Sequence, residues 1–107
     1  MKVENMRSTR TGKAVANQFI IRDNGKVWFQ SYETVICFVD ECNNVFLDNG
    51  ESYDASRNEY HAEEFSRTTN KYLLTFLQAY TGFGFKSMKD VEKATEDGRI
   101  QLVNLNA

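Results

Sequence analysis

Proline is absent from this chain of 107 residues. Histidine occurs once, at His61, and cysteine twice, at Cys37 and Cys42. One imidazole and two thiols without CxxC spacing do not assemble a His/Cys metal cluster within one subunit. Two cysteines do not make a disulfide scaffold either. The expectation is one buried thiol, Cys37, inside the β-branched run ETVICFVD, and one turn thiol, Cys42, ahead of Asn43-Asn44. Any imidazole-based nucleophilic triad would have to use His61, which lies in an acidic stretch with nothing to orient it. No apolar run approaches the roughly 18 residues of a membrane span. The start, MKVENMRSTR, lacks the apolar stretch of a secretory signal. These absences lead us to expect no metal, no cofactor, no enzymatic activity, no membrane and a cytoplasmic location.

What is present is an ordinary globular composition, 41% apolar and 26% charged, which excludes wholesale disorder. The length suits one domain, residues 1–107. The net charge of −2 implies no partner, but its layout is uneven. In residues 1–13, Lys2, Arg7, Arg10 and Lys13 outweigh Glu4, for a net +3. In residues 40–64, Asp40, Glu41, Asp48, Glu51, Asp54, Glu59, Glu63 and Glu64 face Arg57 alone, for a net −7.

The first 13 residues are polar and aperiodic and are expected to be a mobile arm. Asn24-Gly25 between AVANQFIIR and KVWFQSY signals a two-residue hairpin, because both turn residues must take positive φ. That turn pairs Ile21 with Trp28, Ile20 with Phe29 and Phe19 with Gln30. Both faces of the hairpin then carry apolar groups, so either both are packed or one is a binding surface. TVICFVD (34–40) and Val45–Leu47 continue an antiparallel meander. Residues 49–64 fit a short helix over about 55–64 or a long loop. Leu73, Phe76, Leu77 and Tyr80 recur at helical spacing, with candidate caps at Ser66, Thr68 and Thr69 and a stop at Gly82. Phe83 and Phe85 should tuck under the sheet edge, and Ser87-Met-Lys-Asp90 reads as a capping box. RIQLV (99–103) suits a last strand.

The expected fold is therefore α+β. An antiparallel sheet of four or five strands carries one main helix, about 67–81, and a second short helix, about 88–97. The expected core is Phe19, Ile21, Phe29, Val35, Cys37, Leu73, Phe76, Leu77 and Leu102.

GFGFKS (82–87) superficially matches glycine-rich phosphate loops. Phe85 and Ser87 stand where glycines are needed, and the loop follows a helix, so a helix-helix connection is the better reading. Two binding surfaces remain. The acidic segment offers Asp48, Glu51, Asp54, Glu59, Glu63 and Glu64, with Tyr53 and Tyr60 as anchors. Spaced carboxylates with interleaved tyrosines imitate a nucleic-acid backbone and are attracted to a basic groove. Alternatively, Lys2, Arg7, Arg10 and Lys13 lie along phosphates while Trp28 and Tyr32 stack bases.

The strings NQFII (17–21), WFQSYETVICF (28–38), VFLD (45–48) and FSRTTNKYLLTFL (65–77), with Leu105-Asn106 near the end, resemble a family of small proteins encoded by tailed bacteriophages and related mobile elements. The resemblance spans residues 14–48 and 65–107. Against its pattern, residues 49–64 look like an acidic insertion. Small phage proteins carrying an acidic graft are often inhibitors of host defence, anti-CRISPR proteins among them. The resemblance thus implies a non-enzymatic inhibitor in the cytoplasm of an infected bacterium. Its partner would be a host protein or ribonucleoprotein complex with a basic groove. The alternative is a phage accessory protein that binds nucleic acid.

Overall fold

The computed structural model describes residues 1–54, 56–57, 59–62 and 65–106. Strands β1 (Lys2–Arg7), β2 (Ala14–Asp23), β3 (Lys26–Ser31), β4 (Thr34–Val39) and β5 (Val45–Asp48) form an antiparallel meander. A separate hairpin, β6 (Glu51–Asp54) and β7 (Glu59–Ala62), follows. Helices α1 (Arg67–Tyr80) and α2 (Met88–Glu96) then lead to β8 (Ile100–Val103). The main sheet has six strands in the order β1-β2-β3-β4-β5-β8, with β8 parallel to β5. The fold class is α+β, with one more strand than expected and a mixed sheet rather than a purely antiparallel one.

Turn chemistry sets the register. Asn24 and Gly25 both take positive φ, and Ile21 pairs with Trp28 as the Asn-Gly spacing requires. The φ of 78° at Gly25 favours glycine, while a Cβ there would meet only the movable carboxylate end of the exposed Glu41 side chain, at 2.7 Å. Both helices pack on the face that carries Phe29, which is fully buried and stacks on Phe76 at 5.8 Å. Ile20, Cys37, Val45, Leu47, Leu73, Leu77, Phe85, Val91 and Ile100 complete this core. The connection 82–87 buries Phe85 and half-buries Phe83. Asp90 reaches back to accept from the backbone N–H groups of Ser87 and Lys86 at 3.2 and 2.7 Å, closing the start of α2.

Three expectations need correction. Residues 1–13 are not a mobile arm: Lys2–Arg7 is an edge strand paired with β2, and Met6 on it is buried. Four of its six residues are polar, and Val3 and Met6 do not alternate as a half-buried strand would, so its pairing comes from β2 rather than from its own pattern. The segment 49–64 is neither helix nor plain loop, because it contains the β6–β7 hairpin. Phe19, Ile21 and Val35 do not enter the core. Strand parity puts them on the opposite face from Phe29, half-buried, while Ile20 and the bulged Ile36 are buried. Leu102 is likewise outside the core, 53% exposed on the edge strand β8.

Candidate functional site

The end of the sheet where β2, β3 and α1 meet gathers most of the motif residues. Ser66 caps α1, its Oγ accepting from Thr69 N at 3.2 Å and donating to Thr69 Oγ1 at 3.1 Å. Thr69 Oγ1 shares a buried hydrogen bond of 3.1 Å with Ser31 Oγ at the end of β3. Gln18 pairs with Ser31 in register and is 1% exposed. Its Oε1 finds no hydrogen-bond partner among the described residues. Asn17 O accepts from Tyr32 N at 2.7 Å. Asn106 grips the edge of β4 with both ends of its amide, accepting from Val35 N and donating to Val35 O, each at 2.8 Å. Ser31, Tyr32, Asp48, Phe65, Ser66, Thr69 and Asn106 all line one groove of about 380 Å³.

This polar cluster was missed as a site, though its signal was in the sequence. Gln18 shares strand parity with Ile20, and Ser31 with Phe29, so both face the helices. Thr69 lies one turn before Leu73 on the apolar stripe of α1.

Tyr32 stands at the rim of the groove, 58% exposed. It takes φ of 56° in the two-residue turn between Ser31 and Thr34, while Glu33 does not share the positive φ. That pattern belongs to a type II′ turn, whose first position favours glycine. A tyrosine there holds backbone strain.

The predicted acidic contacts divide. Asp48 is buried, and its carboxylate accepts from Gly50 N at 3.1 Å and Leu105 N at 2.9 Å, so it serves the fold and is not presented to a partner. Glu51 is exposed at the start of β6. Tyr53 pairs with Tyr60, and Asp54 with Glu59, in the β6–β7 register. Glu63 and Glu64 lie outside the described residues.

The predicted basic contacts also divide. Lys2, Arg7, Arg10 and Lys13 are exposed on β1 and the loop after it. Arg7 and Arg10 meet Lys71 of α1, absent from the sequence-based set, around a pocket of about 270 Å³. Trp28 points away from them. It belongs to a cross-strand row of Val3, Ile21, Trp28, Phe38 and Phe46 on the face opposite the helices. The Trp28 and Phe38 rings are 4.3 Å apart, and those of Phe38 and Phe46 4.6 Å. Hence Trp28 and Tyr32 do not form one stacking platform with the arginines.

Cys37 is buried, and desolvation pushes its thiol pKa well up, whereas Cys42 is exposed. No cluster of three or more metal-ligating side chains occurs among the described residues, and no described helix is long and apolar enough to cross a membrane.

Fold and surface together define a small α+β protein with a one-sided helical layer and segregated surface charge. Residues 1–95 match the family described as "Family of unknown function (DUF8033)", and the chain belongs to that family. No curated protein and no solved structure matches it.

Proposed function

We propose that the chain is a non-enzymatic binding protein of phage or mobile-element origin. It inhibits a host defence nuclease complex, in the manner of an anti-CRISPR protein, by offering its acidic hairpin to a basic nucleic-acid groove. The observation that carries the reading is the net −7 of residues 40–64, part of which falls on a two-stranded sheet of its own. The register sets Asp54 opposite Glu59. Glu51, Tyr53, Asp54, Glu59 and Tyr60 are the contacts of this reading, together with Glu63 and Glu64, which lie outside the described residues. The site of action is the cytoplasm of the infected bacterium.

The test is competition. The purified chain should displace nucleic acid from the complex it inhibits, and the triple variant Glu51→Lys, Asp54→Lys, Glu59→Lys should not. Equal displacement by both proteins would remove the hairpin from the interface.

A second reading, nucleic-acid binding, is favoured by the meeting of Arg7 and Arg10 with Lys71. It predicts affinity for free DNA or RNA that falls steeply with salt. The first reading predicts none through the acidic hairpin.

A further inference from the structure

The loop joining β1 to β2 is held in shape by its own backbone. Ser8 N donates to Lys13 O and Gly12 N to Ser8 O, both at 2.9 Å. Arg10 N and Thr11 N both donate to Ser8 Oγ at 3.3 Å. Arg7 Nη1 donates to Gly12 O at 3.0 Å, which fixes one corner of the guanidinium and leaves its other N–H groups for a ligand. The loop faces the middle of α1, and the space between is lined by Arg7, Ser8, Thr9 and Arg10 on one side and Lys71, Tyr72 and Thr75 on the other.

The composition of this wall is one-sided. Three cations and four hydroxyl-bearing residues contribute, and no carboxylate among the described residues lines the pocket. None of Arg7, Arg10 and Lys71 is ion-paired among the described residues. Unneutralised cations converging on one cavity repel each other, and a multivalent oxyanion relieves that repulsion. Guanidinium groups offer paired donors that match a tetrahedral oxyanion, and the ammonium adds a point charge. The volume of about 270 Å³ lies just below the usual range for small-molecule pockets, about 300 to 1,000 Å³. That size suits a phosphate group with a modest attachment. The preordered loop limits the entropy lost on binding.

We propose that this pocket binds the phosphate group of a phosphorylated ligand, held by Arg7, Arg10 and Lys71. The phosphate comes from a free nucleotide or from a polynucleotide backbone, and the two sources share this chemistry. The site is independent of the acidic hairpin, and the triple charge-reversal variant keeps it.

Amide chemical-shift titration of the whole chain tests the proposal, with inorganic phosphate, adenosine monophosphate, adenosine and a short oligothymidylate as probes. Phosphate and adenosine monophosphate should shift the amides of residues 7–13 and 71–75, and adenosine should not. Shifts at these amides with oligothymidylate alone, lost with rising salt, would support the site and identify the polynucleotide as the source. Arg10→Gln and Lys71→Gln should each weaken binding about tenfold. Both side chains are exposed, so the variants should fold. Lys89→Gln on α2 should bind as the parent does. Adenosine binding as well as its monophosphate, no shift with any phosphate probe, or unchanged affinity in both variants would overturn the proposal.

Discussion

Tyr32 places a bulky side chain at a positive φ that glycine adopts freely. Relief of strain at such a position is worth about 1 kcal/mol. Tyr32→Gly should therefore raise the free energy of unfolding in a denaturant titration, by up to about 0.6 kcal/mol once the added chain entropy is counted. A loss of stability would mean that the exposed ring makes a contribution larger than the strain. Thr69 gives the opposite case. Thr69→Val removes the hydroxyl that meets both Ser31 and Ser66. It should cost about 1–3 kcal/mol, because Ser31 is left buried without its partner. The cysteines separate by burial. Under native conditions an alkylating reagent should label Cys42 alone, and Cys37 only after unfolding. Labelling of both in the native state would contradict the packing around β4.

At the scale of elements, the carboxylates that close turns and start helices give the fold an acid limit. The Asp40 carboxylate accepts from Asn44 N at 2.8 Å, from Asn44 Nδ2 at 3.0 Å and from Cys42 N at 2.9 Å. The Asn44 N–H leads in holding its pKa below the ordinary 3.8. Asp90 is held below the same value, chiefly by the Lys86 N–H. A depressed folded-state pKa stabilises above the unfolded value, and that contribution is lost as pH falls through the folded one. Stability should be level above pH 3.8 on account of these two groups and decline below it. Asp40→Asn should flatten the decline seen in urea midpoints across that range. At β1, Met6→Ala should cost about 2 kcal/mol, since a strand rather than a loose arm holds that side chain in the core.

The same elements show what a sequence alone can specify. The hairpin at Asn24-Gly25 and the stripe Leu73, Phe76, Leu77 were legible because each is set by local spacing. The inward face of β2 and β3 was not, since Ile21 with Trp28 and Ile20 with Phe29 are nearly equivalent as apolar pairs. The choice is made by α1, whose Phe76 stacks on Phe29. β1 was invisible because an edge strand depends on its neighbour's backbone. Of the candidate site residues, the cationic loop was legible as charge, but its meeting with Lys71 depends on tertiary packing. Asp48 was legible only as charge. Its two backbone donors, one from Leu105 far along the chain, make it part of the fold.

At the scale of the whole molecule, the charge is divided between a basic loop after β1 and an acidic hairpin after β5. The helices cover one sheet face and leave the row of Trp28, Phe38 and Phe46 on the other. The central claim concerns the acidic hairpin, and one paired measurement tests it most directly. The tagged chain and its triple variant Glu51→Lys, Asp54→Lys, Glu59→Lys are each used to capture partners from bacterial lysate, with and without nuclease treatment. The account predicts a protein partner that survives nuclease with the parent chain, is released by a competing polyanion and is lost with the variant. Equal capture by both chains, or recovery of nucleic acid alone that vanishes on nuclease treatment, would contradict it.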